Sequence, residues 1–226
     1  MLAPRLQRRP AAVILDMDGL LLDTEPLAVK AWSEAAATHG VEFEDALARR
    51  MTGRNFADCA AIVRAHYASD YPVDAVLGAW HRAYDAVVER DGLRLKPGVP
   101  DLLAWLDLHR LPRVVATSTR RERARSKLEA TGLWTRMHAL VGGDEVQRGK
   151  PAPDIYLEAA KRAGAQLERC LILEDSETGM NGALNAGIAA IMVPDMHPPS
   201  ASLIARRPLL AESLFEVVAM LGALPE

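Results

Sequence analysis

The sequence predicts an α/β protein in which a parallel sheet carries helices on both faces and an all-helical domain is inserted after the first strand. Three observations point there. Short apolar runs recur along the chain, they are near-continuous rather than alternating, and about seventy residues, 25–95, pass without one. A strand that is apolar at every position is covered on both faces, the habit of parallel sheets, whereas a strand with one wet face alternates.

The first expected strand is 12–15, Ala-Val-Ile-Leu. Helical spacing of apolar residues then marks 26–38, 45–51, 55–68 and 73–90, with Thr24 or Glu25 placed to cap the helix that Pro26 begins. These segments make up an inserted helical domain at 24–95, so the core is assembled from two pieces, 1–23 and 96–226. Pro97-Gly98 opens a helix that presents Val99, Leu102, Leu103 and Leu106 on one side. A strand at 113–116 leads to a polar helix that starts near Arg120, and a strand at 138–141 follows. Pro153-Asp154 opens a helix that Gly164 stops, in keeping with proline at helix starts and glycine at helix ends. Strands at 170–173 and 189–193 complete the expected sheet. The stretch 194–208, with Pro198-Pro199, reads as an ordered loop, and 209–221 reads as a helix with Leu210, Leu214, Val217, Val218 and Leu221 on the face that docks on the sheet.

Composition narrows the function classes. A chain of 226 residues that is 50% apolar can bury a substantial core. Its 27 basic and 30 acidic residues leave a formal charge of -3, with no dense basic patch, so nucleic acid is not an expected partner. The apolar run after Arg5, Arg8 and Arg9 stops at Asp16, too short for a secretory signal or a membrane span, and a cytoplasmic, membrane-free protein is expected. Cys59 and Cys170 show no ligand or disulfide spacing and read as reduced, buried thiols. Nothing in the sequence calls for an obligate protein partner.

The chemistry sits where apolar runs end. Asp16 and Asp18 emerge directly after 12–15, and Glu174-Asp175 emerge directly after 170–173. Carboxylates are costly there unless something pairs with them, and a divalent cation satisfies several at once. Asp16, Glu174 and Asp175, with the backbone carbonyl of Asp18, are therefore candidate ligands of Mg2+, a hard cation suited to oxygen donors. Thr117 ends the run 113–116 and offers a hydroxyl to an oxygen of a bound substrate, while Lys150, in Gly149-Lys150-Pro151, offers an ammonium to the Asp16 carboxylate and to charge that builds up on that substrate.

Residues 16–24, Asp-Met-Asp-Gly-Leu-Leu-Leu-Asp-Thr, match Asp-x-Asp-Gly-x-Leu-x-Asp-Thr without a gap, and in this the chain resembles the helical-cap branch of the haloacid dehalogenase superfamily. Thr117, Lys150 and Asp175 follow in the order of that family's remaining motifs. The resemblance implies a Rossmann-like core with a helical cap that closes over the site, and a magnesium-dependent phosphatase acting on a small phosphorylated metabolite, with sugar phosphates preferred. It implies that Asp16 attacks phosphorus to form an aspartyl-phosphate and that Asp18 serves as general acid and then general base. Asp18 itself argues for phosphate esters, because a dehalogenase has no leaving alkoxide to protonate.

Ser118 and Arg120, in the loop after the second strand, are candidate substrate contacts, and Arg54 falls where relatives place a substrate-reading loop. Beta-phosphoglucomutase shares the first motif, the cap and the Glu-Asp-Ser stretch, but its proton-carrying His twelve residues after the nucleophile corresponds here to Ala28, which favours water as the final acceptor. A phospho-accepting receiver protein uses a similar set of groups. It would place the acidic pair before the phosphorylated Asp and would have no helical insert.

Overall fold

The computed structural model describes residues 7–51, 56–68 and 70–225. By contacts the chain divides into two compact units, residues 1–22 with 95–226 and residues 23–94, whereas the sequence pattern places the boundaries one residue later.

The first unit is built on a six-stranded sheet whose strands all pair in parallel: β1 (Ala12–Leu15), β2 (Arg113–Ala116), β3 (Ala139–Val141), β4 (Cys170–Glu174), β5 (Ala189–Met192) and β6 (Leu209–Leu210). Their spatial order is β3-β2-β1-β4-β5-β6, which puts β1 near the middle between β2 and β4. Every residue of β1, β2, β4 and β5 is buried, and the two sets of alternating side chains feed two separate cores. On one face Val13, Leu15, Val115, Leu171 and Leu173 meet α5 (Val99–Leu108), α6 (Arg121–Ala130) and α10 (Leu214–Gly222). On the other, Ile14, Val114, Ala116 and Ile172 meet α7 (Asp154–Ala163), α8 (Glu177–Ala186) and α9 (Ala201–Ala205). Each fully buried Val, Leu or Ile contributes about 1.5–3 kcal/mol, and the doubly covered sheet holds them on both sides.

Three expectations need correction. The segment 209–221 is not one helix, because Leu209–Leu210 add a sixth strand beside β5 and the helix begins only at Leu214, capped by Ser213, whose hydroxyl accepts from the Glu216 amide. The stretch 194–208 is not all loop, because Ser200 caps the short helix α9 in the same way, through the Leu203 amide. Thr24 occupies the cap position of the first helix, but its backbone is already helical (φ -91°, ψ -18°) and its side chain makes no capping bond.

In the second unit every element among the described residues is a helix: α1 (Glu25–Ala37), α2 (Asp45–Met51), α3 (Phe56–His66) and α4 (Val73–Asp91). Trp32 on α1 stacks on Phe43 at 5.1 Å and meets Trp80 of α4 at 5.4 Å, with Val63 and Val76 fully buried beside them. Exposed pairs such as Lys30–Asp91 and Arg90–Glu34 bridge α1 and α4. Among the described residues no helix is long and apolar enough to cross a membrane.

Candidate active site

Register decides what meets at the carboxyl end of the sheet. Leu15 lies opposite Val115 on one side and Leu173 on the other, so the residues after them, Asp16, Ala116 and Glu174, arrive at one level, with Thr117 and Asp175 one step further. The ladder continues into the site, since the Asp16 amide donates to the Leu173 carbonyl at 3.0 Å and the Thr117 amide to the Val141 carbonyl at 3.1 Å. Side chains 158 positions apart in the chain, Asp16 and Glu174, are thus fixed by backbone rather than by loops.

Lys150 enters this cluster from the loop before α7. Its ammonium donates to Asp16 Oδ1 at 2.5 Å, to Glu174 Oε1 at 2.5 Å and to the Ala116 carbonyl at 3.1 Å, which uses all three of its protons. Burial alone would depress the Lys150 pKa, but the Asp16 and Glu174 carboxylates outweigh it and hold the ammonium well above its usual value. Burial pushes the Asp16 carboxyl up to about 8, Lys150 opposing the shift and Glu174 and Asp18 adding to it.

Glu174 is fully buried and its oxygens are occupied by four donors: Lys150 and the Tyr156 hydroxyl (2.7 Å) on Oε1, and the amide (3.2 Å) and hydroxyl (3.0 Å) of Ser176 on Oε2. Tyr156, on α7, is itself buried, and its hydroxyl also lies 3.1 Å from the Gly179 carbonyl. The packing is close enough that a Cβ on Gly179 would fall 2.0 Å from Glu174 Cδ, and one on Gly182 would fall 2.8 Å from Tyr156 Cε2. Tyr156 and Ser176 were not among the residues that the sequence singles out. Tyr156 reads as one more apolar-face residue of its helix, and its partner lies 18 positions away.

Asp18 sits just past β1, in a turn where Gly19 takes φ +91° and its amide donates to the Leu22 carbonyl at 2.9 Å. That glycine is required by space as well as by φ, because a Cβ there would lie 2.2 Å from Asp175 Oδ2. The Asp18 carboxylate accepts from Lys127 Nζ at 2.7 Å on Oδ1 and from Thr119 Oγ1 at 2.7 Å on Oδ2. Thr117 is 1% exposed, and its hydroxyl oxygen accepts from the Thr119 amide at 3.1 Å, leaving its proton for another acceptor. Ser118 and Arg120 are exposed in the same loop. Arg54 lies outside the described residues.

Asp16, Glu174 and Asp175 each present a carboxylate oxygen, and these atoms lie within 4.8 Å of one another. Three buried carboxyl groups converging in this way form an oxygen donor set that a hard divalent cation such as Mg2+ fits. Glu174 already holds four donors, so Asp16 and Asp175 are the side chains better placed to take the ion directly.

Comparison with known proteins agrees with this geometry. The family model described as haloacid dehalogenase-like hydrolase matches residues 10–187. The chain is 32% identical over 180 residues to the phosphorylated carbohydrates phosphatase of Thermotoga maritima, covering 80% of this chain and 83% of that protein. It is 28% identical over 192 residues to the bifunctional riboflavin kinase/FMN phosphatase of Arabidopsis thaliana, covering 84% of this chain and spanning half the length, 50%, of that larger relative. Among solved structures it is similar to a Thermotoga maritima protein provisionally assigned as a beta-phosphoglucomutase, with a TM-score of 0.77 and 29% identity over 93% of this chain and 98% of that one.

Proposed function

The chain belongs to the haloacid dehalogenase-like hydrolase family and is a phosphatase, and we propose that it hydrolyses a sugar phosphate or similar small phosphorylated metabolite through an aspartyl-phosphate on Asp16. The observation that carries the reading is the meeting of Asp16, Lys150, Glu174 and Asp175 at the ends of β1 and β4, with the Lys150 ammonium 2.5 Å from both Asp16 and Glu174. The phosphorylated carbohydrates phosphatase among its relatives supports the sugar-phosphate class.

Asp16 attacks phosphorus with the oxygen that Lys150 leaves open, and the bond to the leaving oxygen breaks as Asp18 gives that oxygen a proton. Water then attacks the aspartyl-phosphate while Asp18 takes its proton, which releases inorganic phosphate and restores the Asp16 carboxylate. The Thr117 hydroxyl donates its proton to a phosphoryl oxygen, Lys150 orients Asp16 while its charge offsets what builds up on the phosphoryl group, and Glu174, kept in place by Tyr156 and Ser176, holds Lys150. Asp16 and Asp175 would hold Mg2+, which when bound would supply Lewis-acid neutralisation of the phosphate dianion. Ala28 has no ionisable group where a mutase would carry a proton, in keeping with water as acceptor. Ser118 and Arg120 serve as substrate contacts in this reading, which their exposure in the loop after Thr117 supports. A cytoplasmic setting accords with two buried thiols outside any disulfide, Cys59 and Cys170.

The test is inorganic phosphate release, with Mg2+, from a panel of phosphorylated sugars and polyols and from 4-nitrophenyl phosphate. Asp16→Asn is expected to lower turnover by about 1000-fold or more. Undiminished release by that variant would overturn the mechanism, and turnover confined to substrates without a sugar or polyol would reassign the class.

A further inference from the structure

Among the residues that no motif accounts for, Lys127 stands out by its burial. It lies in the last turn of α6, a helix rich in arginine, where Arg121 and Arg125 keep 43% and 55% of their side-chain surface in solvent while Lys127 keeps 12%. Long cationic side chains normally leave their charged ends in water, so a lysine drawn in this far implies a partner worth the desolvation. That partner is Asp18, 109 positions away in the chain.

The Asp18 carboxyl presents a specific orientation problem. The torsion that turns an aspartate carboxyl about its Cβ–Cγ bond is soft, so a single contact leaves the plane of the group free to rotate. Here each oxygen has its own donor at 2.7 Å, an ammonium on Oδ1 and a hydroxyl on Oδ2, and two donors from separate segments fix the plane. Thr119 does more than this. Its amide donates to the Thr117 hydroxyl oxygen, so one residue ties the group proposed to bind the phosphoryl oxygens to the group proposed to move the proton.

We propose that Lys127 and Thr119 are positioning residues that fix the orientation of the Asp18 carboxyl for proton transfer to the leaving oxygen. This rests on Asp18 being the acid–base residue. Proton delivery matters most when the leaving oxygen is strongly basic, as in alkyl and sugar phosphates, and least for 4-nitrophenyl phosphate, whose leaving group departs readily as the anion. Misorienting Asp18 therefore steepens the dependence on the leaving group, whereas a general weakening of the fold slows every substrate alike.

The experiment measures kcat and KM for wild type, Lys127→Met, Lys127→Arg, Thr119→Val, Asp18→Asn and the Asp18→Asn/Lys127→Met double variant on 4-nitrophenyl phosphate, phenyl phosphate and an alkyl phosphate. Lys127→Met and Thr119→Val are expected to lose about tenfold more kcat on the alkyl ester than on the 4-nitrophenyl ester, a part of the usual acid–base contribution. Lys127→Arg should recover part of that loss, and in the double variant the lysine change should cost nothing further. Equal losses across the three esters, or additive losses in the double variant, overturn the proposal. Should Lys127→Met fail to fold, Lys127→Arg and Thr119→Val carry the same comparison of esters. Because Asp16-dependent phosphate release is measured separately, failure here leaves the phosphatase mechanism standing, and failure there shows as wild-type inactivity on all three.

Discussion

Arg113 and Lys150 are both cations buried in the sheet unit, and their surroundings differ in a way that separates holding a fold from doing chemistry. Arg113 opens β2 at the amino end of the sheet, keeps 7% of its side chain exposed, and spends its protons on the carbonyls of Arg136 and Leu103 and on Asp107. Asp107 is 46% exposed, so the negative partner stays in water and only the cation is buried. Lys150, at the carboxyl end, is 5% exposed and faces Asp16 and Glu174, at 9% and 0%. Around Arg113 the charge is balanced by groups that need nothing more. Around Lys150 three buried carboxyl groups bring their oxygens within 4.8 Å of one another, a donor set shaped for a ligand. A buried charge is thus a sign of function when its partners are also buried and converge on one point.

Removing each cation tests that contrast. Lys150→Met should cost about 100–1000-fold in kcat in protein shown to be folded by circular dichroism, the range for deleting one electrostatic stabiliser of a transition state. Arg113→Met should leave kcat within about twofold while lowering stability by about 1–3 kcal/mol in urea, since it strands two backbone acceptors. The contrast breaks if folded Arg113→Met loses turnover as Lys150→Met does.

A smaller effect sharpens it. Asp16 has its folded pKa raised from 3.8 to about 8, so in metal-free protein the folded state keeps a proton that the unfolded state has lost across that window. Stability contributed by this group therefore falls as pH rises from about 4 to 8. The thermal midpoint of wild type, taken relative to Asp16→Asn, should decline between those limits without metal, and saturating Mg2+ should flatten the decline. A difference that stays flat across that window would show that the carboxyl is ionised in the folded state throughout.

Much of this was open to sequence reading, for a reason visible at particular residues. Strands β1, β2 and β4 are buried on both faces, so their apolar runs are unbroken and the polar residues that end them, Asp16, Thr117 and Glu174-Asp175, are conspicuous. The strand Leu209–Leu210 was not legible, because two residues show no period and Leu210 stands four before Leu214, at the spacing of a helical face. Helix α9 is five residues long and gives no repeat either. Thr119, Lys127 and Tyr156 were hidden for another reason. Each is defined by a partner brought close only by the fold, as Lys127 is by Asp18.

The glycines of α8 carry a lesson for anyone who wishes to harden this enzyme against heat. Exchanging a helix glycine for alanine ordinarily gains about 1 kcal/mol in helical preference, and Gly179 and Gly182 look like ready targets. At both places the extra methyl would collide, with Glu174 at the one and with Tyr156 at the other. The helix forgoes intrinsic propensity so that the carboxylate and the phenol can lie against its backbone, and a rule learned on solvent-facing helices would be misapplied here.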